Sequence, residues 1–177
     1  DEPIDKVLTE HYLCMIHSEV SGNLLGNQDR GTVRRKAVAI EGSEYIPLDN
    51  EYALKDQLSI LLKVALTIEN PFEQAVYVHC NLAYLQFFHD GNKRTARLMQ
   101  TAILVANKIT PVFFSEDAVY PYLNAIVTYY ETGDYSLYKN LFLEEYENTI
   151  KHLLGQSPQQ LRAQQLANES IQSQKEQ

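Results

Sequence analysis

The feature that most constrains this chain is an apolar helix that stops at a sharp polar break. Residues 75–88 carry apolar side chains nearly all the way round a helical wheel, which predicts a helix buried at the centre of the fold. Pro71 stands at a favoured first-turn position for that helix. The polar run 89–92, His-Asp-Gly-Asn, interrupts the pattern, and a second amphipathic helix is predicted from Lys93 to Asn107.

The remaining pattern predicts helices joined by short loops. Further helices are predicted over residues 4–20, 50–68, 115–132 and 136–154, and a short β-hairpin over 33–46 turns at Glu41-Gly42-Ser43. The fold class predicted for residues 1–154 is therefore all-α, a single helical domain. Residues 155–177 contain eight glutamines and little to bury, which predicts a frayed helix or a disordered tail.

The composition limits the classes of partner. Fifteen Lys and Arg against 23 Asp and Glu give a net charge of -8, which argues against a nucleic-acid-binding or membrane-binding surface but leaves room for a local phosphate pocket. Cys14 and Cys80 alone cannot build a disulfide scaffold or a cysteine zinc site. No apolar run approaches the roughly 20 residues of a membrane span, and the acidic start is unlike a signal peptide. A cytoplasmic location is expected.

The stretch 86–97 carries the residues suited to chemistry. Backbone N–H groups at a helix start attract anions, and Gly91 lets the backbone approach a ligand closely. Arg94 and Arg97 lie three residues apart on one face, so both guanidinium groups can reach a polyphosphate. Two arginines in a first turn oppose the helix dipole unless an anion binds there, and Asp90 could hold Mg²⁺ between phosphates. The alternative is an ordinary capped helix start with solvated or paired arginines.

The same stretch resembles the signature of the Fic/Doc family, His-x-Phe-x-Asp/Glu-Gly-Asn-Gly/Lys-Arg-x-x-Arg. Seven positions are in register with it: Phe88, Asp90, Gly91, Asn92, Lys93, Arg94 and Arg97. The resemblance continues upstream through residues 31–34, 38–47 and the helix from Pro71, and it spans roughly residues 12–110. It implies a Fic fold, a helical bundle with a short β-hairpin flap over a nucleotide site.

The resemblance also implies a protein adenylyltransferase, which moves AMP from ATP to a hydroxyl side chain of a target protein. In that case Asp90 would hold Mg²⁺, and the nucleotide phosphates would lie against Gly91, Asn92, Lys93, Arg94 and Arg97. The flap would dock the target by strand addition, through Val38, Ala39, Ile40, Glu41, Gly42 and Ser43. ATP, Mg²⁺ and a protein target are therefore the expected ligands and partner.

One position departs from the signature. The family's catalytic histidine belongs two residues before Phe88, where this chain has Gln86. That histidine is the general base, whereas a carboxamide can only form hydrogen bonds. Loss of a general base lowers a rate by ~10²–10⁴, so AMP transfer is expected to be impaired. His89 occupies the variable position of the turn and is not expected to replace the base.

Two other functions stay open. Lys93 stands where many AMP-transferring members have glycine and resembles the Doc branch, whose members act as kinases on a protein target. A non-catalytic interaction module, with the flap holding a partner, is the second alternative. No Ser/Thr-x-x-x-Glu-Gly/Asn motif of a self-inhibiting helix is present, so an antitoxin-like partner, no inhibitor and self-association all remain open.

The histidines outside the motif receive structural interpretations. His11 and His17 are six residues apart and do not share a helical face, so they are not expected to build a metal site. His79 lies in the buried helix and is expected to be a hydrogen-bonded core residue.

Overall fold

A computed structural model describes residues 2–22 and 25–155. The predicted tail therefore lies, but for its first residue, outside the described residues. The described chain contains seven α-helices and one 3₁₀ turn: α1 (Ile4–Val7), α2 (Glu10–Val20), α3 (Glu51–Ala65), α4 (Pro71–Leu85), α5 (Asn92–Ala106), the 3₁₀ turn Glu116–Ala118, α6 (Val119–Thr132) and α7 (Ser136–Leu153). The prediction of a helical fold is confirmed. None of these helices is both long and apolar enough to cross a membrane.

Helix α4 is the buried centre of the bundle, as its sequence pattern predicts. It packs against α3, α5, α6 and α7, so few of its side chains reach solvent. The sequence overestimates its length, because the helix ends at Leu85 rather than Phe88. Phe87 and Phe88 stay buried beyond the helix end, each about 1% exposed. The apolar pattern therefore records burial of the turn as well as of the helix.

Capping side chains decide where three of the helices start. The Asn70 side chain accepts hydrogen bonds from the first N–H groups of α4, and Asn50 does the same for α3. The single helix predicted over residues 4–20 is wrong, because Thr9 divides it. Thr9 has extended backbone angles and accepts a hydrogen bond from the Tyr12 N–H (3.1 Å), so α2 begins after it.

The predicted β-hairpin is not present in the described structure. The turn itself forms at Glu41-Gly42, where Gly42 has a φ of 80° and the Ser43 N–H donates to the Ile40 carbonyl (3.3 Å). The flanking residues form no strand ladder. A two-stranded hairpin without a third strand is only marginally stable, and other contacts hold these residues. We call residues 36–48 the flap loop.

Candidate functional site

The signature residues form a tight turn between α4 and α5. Gln86 closes α4 in the left-handed region (φ 50°), and Gly91 precedes α5 with a φ of 78°. Glycine adopts this conformation without strain, whereas glutamine does so at a cost of about 1–2 kcal/mol. The Gln86 side chain donates to the Ala83 carbonyl (2.7 Å), which helps to hold the helix end.

The Asn92 side chain stabilises this turn through three hydrogen bonds. Its carboxamide oxygen accepts from the Phe88 N–H (2.8 Å), and its Nδ2 group donates to the Phe88 carbonyl (2.8 Å) and to Gln86 Oε1 (3.1 Å). Thr95 donates its hydroxyl to the Gly91 carbonyl (3.0 Å) one turn later. Asn92 thus shapes the turn with its side chain. The first N–H groups of α5 have no partner within the helix, and such groups attract anions.

A cavity of about 850 Å³ opens over this turn and brings together nearly all of the predicted site residues. It is lined by Gln86, Asp90, Gly91, Asn92, Lys93, Arg94, Arg97, Val38, Ala39, Ile40, Glu41 and Gly42. Ser43 is the exception, because its hydroxyl donates to the Glu131 carboxylate (3.2 Å) and ties the flap loop to α6. The volume suits a ligand of nucleotide size.

The cavity carries an excess of positive charge on the α5 side. Arg94 lies 3.5 Å from an Asp90 carboxylate oxygen, so this pair is partly neutralised. Arg97 lies 5.1 Å above the Tyr122 ring. Within the described residues neither Lys93 nor Arg97 has a carboxylate within 4.0 Å. This arrangement favours an anion with several negative charges.

Asp90 fits the Mg²⁺ role that the resemblance implies. Its side chain is 61% exposed, and one oxygen accepts from the Gly91 N–H (2.5 Å) while the other faces Arg94. In the described part of the chain no three His, Cys, Asp or Glu side chains group as a metal site. A single exposed carboxylate suits Mg²⁺, which keeps several waters and takes phosphate oxygens as ligands.

Helix α6 supplies a wall of the cavity that the sequence analysis missed. The wall consists of Tyr120, Leu123, Asn124, Ile126, Val127 and Tyr130. Tyr130 is 5% exposed, and its hydroxyl has no hydrogen-bond partner among the residues that the structure describes. Burial raises the pKa of this phenol, so it remains a donor. The helical spacing of positions 120, 123, 124 and 127 marks one face of α6, but only the packing shows what that face meets.

His17 lies directly beneath the turn, a location that the sequence analysis did not predict. Its Nδ1 accepts from the Gly31 N–H (2.9 Å), and its Nε2 pairs with the Asp90 carbonyl (2.9 Å). The ring stacks on Phe88 with 3.7 Å between centroids. Burial lowers the pKa of His17, in keeping with a neutral ring.

Arg34 anchors both ends of the flap loop to the turn. Its backbone N–H donates to the Phe87 carbonyl (3.0 Å), and its guanidinium donates to the carbonyls of Gln86 (2.5 Å), Lys36 (3.0 Å) and Leu48. The side chain is buried. The sequence offered one signal for this role, since Arg34 belongs to the upstream segment that resembles the family.

His79 agrees with its structural interpretation, whereas the expectation for His89 stays a prediction. His79 is fully buried, and its Nε2 lies 3.2 Å from the Tyr122 hydroxyl, which confirms a hydrogen-bonded core residue. Burial lowers the pKa of His79 to about 3. His89 is exposed and lines the cavity beside Asp90.

Two protein adenylyltransferases are similar in sequence to this chain. The protein adenylyltransferase fic-1 of Caenorhabditis briggsae is 31% identical over 111 residues, which is 58% of this chain and 22% of that protein. Its Caenorhabditis elegans counterpart is 32% identical over 100 residues, 53% of this chain and 19% of that protein. The chain thus spans about a fifth of the length of the curated relatives it matches.

Solved structures share the fold. The Fic-1 structure from C. elegans superposes with a TM-score of 0.70 at 25% identity, over 83% of this chain and 43% of that one. BepC from Bartonella tribocorum, solved with AMPPNP bound, gives a TM-score of 0.64 at 22% identity, over 80% and 75%. The Fic/DOC family model matches residues 7–104, more than half of the chain and the part that holds the turn, both arginines and the flap loop. The chain belongs to the Fic/DOC family.

Proposed function

We propose that the cavity binds Mg-ATP and that the site belongs to a protein adenylyltransferase, which transfers AMP to a hydroxyl side chain of a target protein. The observation that carries this proposal is the single cavity in which the open start of α5, two arginines, one exposed carboxylate and the flap loop meet. The similarity to adenylyltransferases and to a structure with AMPPNP bound supports it.

Each wall of the cavity has a part in this proposal. The N–H groups at the start of α5 and the guanidinium groups of Arg94 and Arg97 bind the phosphates. Asp90 holds Mg²⁺, which when bound neutralises phosphate charge. The apolar face of α6 packs against the nucleoside, and residues 38–42 of the flap loop, whose backbone groups form no ladder, pair with an extended target segment.

The transfer needs a proton acceptor. The target hydroxyl oxygen forms a bond to the α-phosphorus, the bond from that phosphorus to the bridging oxygen breaks, and pyrophosphate leaves. The hydroxyl proton must go to a base. By resemblance Gln86 occupies the base position, and its amide has no basic lone pair. We therefore propose a nucleotide site with a transfer rate lowered by ~10²–10⁴, or about 3–5 kcal/mol of barrier.

The test compares the chain with its Gln86→His variant. Both proteins are titrated with ATP in the presence and absence of Mg²⁺ and are then incubated with cell lysate and ATP labelled at the α-phosphate. We expect both to bind Mg-ATP and only the variant to label proteins efficiently. Arg97→Ala is the matched control, because it should remove nucleotide binding in either background. Failure of the unmodified chain to bind Mg-ATP would contradict the proposal.

One observation favours a second function, a non-catalytic interaction module. The Gln86 amide is engaged on both sides, with Ala83 and with Asn92, so it serves the turn rather than a reacting group. Under this hypothesis the flap loop binds a partner and any nucleotide acts only as a structural ligand. Binding of Mg-ATP without labelling by either protein would favour it.

Lys93 keeps the kinase alternative open. Its side chain lines the cavity next to the turn at residues 86–91, which we call the phosphate turn. There it could disfavour the nucleotide orientation that AMP transfer needs. Parallel reactions with ATP labelled at the γ-phosphate separate the two chemistries, because phosphate transfer labels the target only from the γ-position and AMP transfer only from the α-position.

A further inference from the structure

We propose that His17 is the positioning residue of the phosphate turn: its imidazole fixes the Asp90-Gly91 backbone at the edge of the cavity from beneath. This inference rests on the proposed function for the nature of the ligand, Mg-ATP. His17 does not line the cavity itself, so it acts through the turn and touches no reacting group.

The hydrogen bonds assign the ring one tautomer. The Gly31 N–H donates to Nδ1 (2.9 Å), so this nitrogen carries a lone pair and no proton. The ring proton is therefore on Nε2, which donates to the Asp90 carbonyl (2.9 Å). Stacking on Phe88, with 3° between ring planes, fixes the rotation of the ring. The imidazole is held at both nitrogens and on one face.

The imidazole also supports the glycine of the turn. A Cβ atom on Gly91 would lie 3.5 Å from His17 Nε2, so the ring packs directly against this residue. The Asp90 peptide thus lies above the imidazole, while its carboxylate and the start of α5 face the cavity. A shift of this peptide would displace the carboxylate and the N–H groups at the start of α5 together.

On its other side His17 contacts the segment that leads to the flap loop. Gly31 has a φ of 62°, and a Cβ there would lie 2.7 Å from the Cys14 carbonyl oxygen, so this segment is pressed against α2. Arg34, three residues later, binds the carbonyls of Gln86 and Phe87. His17 therefore joins α2, the base of the flap loop and the phosphate turn. Neutral imidazole suits this place, because it accepts at one nitrogen and donates at the other.

Two substitutions separate the two hydrogen bonds. The amide oxygen of His17→Asn can replace Nδ1 and keep the Gly31 contact, whereas the amide nitrogen of His17→Gln can reach the Nε2 place and keep the Asp90 contact. Mg-ATP is titrated into each variant and into Leu58→Ala, a buried α3 variant away from the cavity that controls for lost stability. We expect ~10-fold weaker binding for His17→Asn, and binding close to that of the unmodified chain for His17→Gln and Leu58→Ala. Equal losses in both His17 variants, or unchanged affinity in His17→Asn, would overturn the proposal.

Two measurements do not depend on nucleotide. In ¹⁵N NMR spectra of the ligand-free chain, the neutral Nε2–H tautomer of His17 is expected, and an Nδ1–H tautomer or a charged ring at pH 7.5 would refute the assignment. If the unmodified chain does not bind Mg-ATP, the proposed function fails, but amide hydrogen exchange still tests the positioning role. The Gly91 N–H donates to the Asp90 carboxylate, and the Thr95 N–H donates to the Gly91 carbonyl (2.9 Å). Exchange at these two amides should be faster in His17→Asn than in His17→Gln, and equal rates would exclude that role.

Discussion

Replacing Arg34 by methionine should release the flap loop from the turn. Arg34 is 4% exposed, and its guanidinium donates to the carbonyls of Gln86 (2.5 Å), Lys36 (3.0 Å) and Leu48. A buried carbonyl left without a donor costs about 1–3 kcal/mol, and the cost is smaller at the exposed residues Lys36 and Leu48, where water can replace the guanidinium. Part of that loss is offset, because no carboxylate of the described residues lies within 4.0 Å of this buried charge, and methionine removes its desolvation penalty. The expected net loss in the free energy of unfolding is about 2–4 kcal/mol.

Urea unfolding and amide hydrogen exchange together test this expectation. Exchange should increase most in residues 36–48 and less in α4, because the lost hydrogen bonds belong to the loop. Arg34→Lys is the matched control: it keeps the charge, but one ammonium group cannot reach three carbonyls on different sides, so its loss should be intermediate. A methionine variant within 1 kcal/mol of the unmodified chain, with unchanged exchange in the loop, would refute the reasoning.

Two further predictions concern local strain and pH. Gly31→Ala should lower the free energy of unfolding by about 2–5 kcal/mol, because it combines a positive φ with a Cβ placed 2.7 Å from the Cys14 carbonyl oxygen. The control Gly133→Ala has a positive φ but open space around the new Cβ, so it should cost only about 1 kcal/mol in urea unfolding. Equal losses in the two variants would contradict the packing argument. Burial lowers the pKa of His79 to about 3, so the unfolded chain binds a proton below its ordinary pKa of ~6.5 while the folded chain does not. The contribution of His79 to the free energy of unfolding is therefore fully present above about pH 6.5 and is lost toward pH 3, with about 2 kcal/mol lost at pH 5. His79→Phe should lose less stability between pH 7.5 and pH 5 than the unmodified chain. An identical pH dependence in the two proteins would refute the assignment of this effect to His79.

The helices are predictable because their signals are local. Asn50 and Asn70 cap α3 and α4, and the apolar pattern of α4 is strong enough to mark the centre of the bundle. The division at Thr9 was missed, because a threonine can continue a helix or cap one, and the local sequence does not separate the two cases. The hairpin failed for a different reason: strand pairing depends on neighbours, and the flap loop has hydrogen bonds to Arg34 instead.

In the candidate site, too, some features could be predicted from the sequence and others could not. By itself the sequence determined the turn between α4 and α5, its glycine and its arginines, because these residues are consecutive and act through one helix start. Only the tertiary structure placed His17, Arg34 and the α6 face around that turn, since they come from chain positions dozens of residues away. The family resemblance included Arg34 but did not show which groups its side chain binds. It also decided that the Gln86 amide bonds to Ala83 and Asn92. The physical reason is that hydrogen bonds and burial between distant segments exist only once the helices have packed.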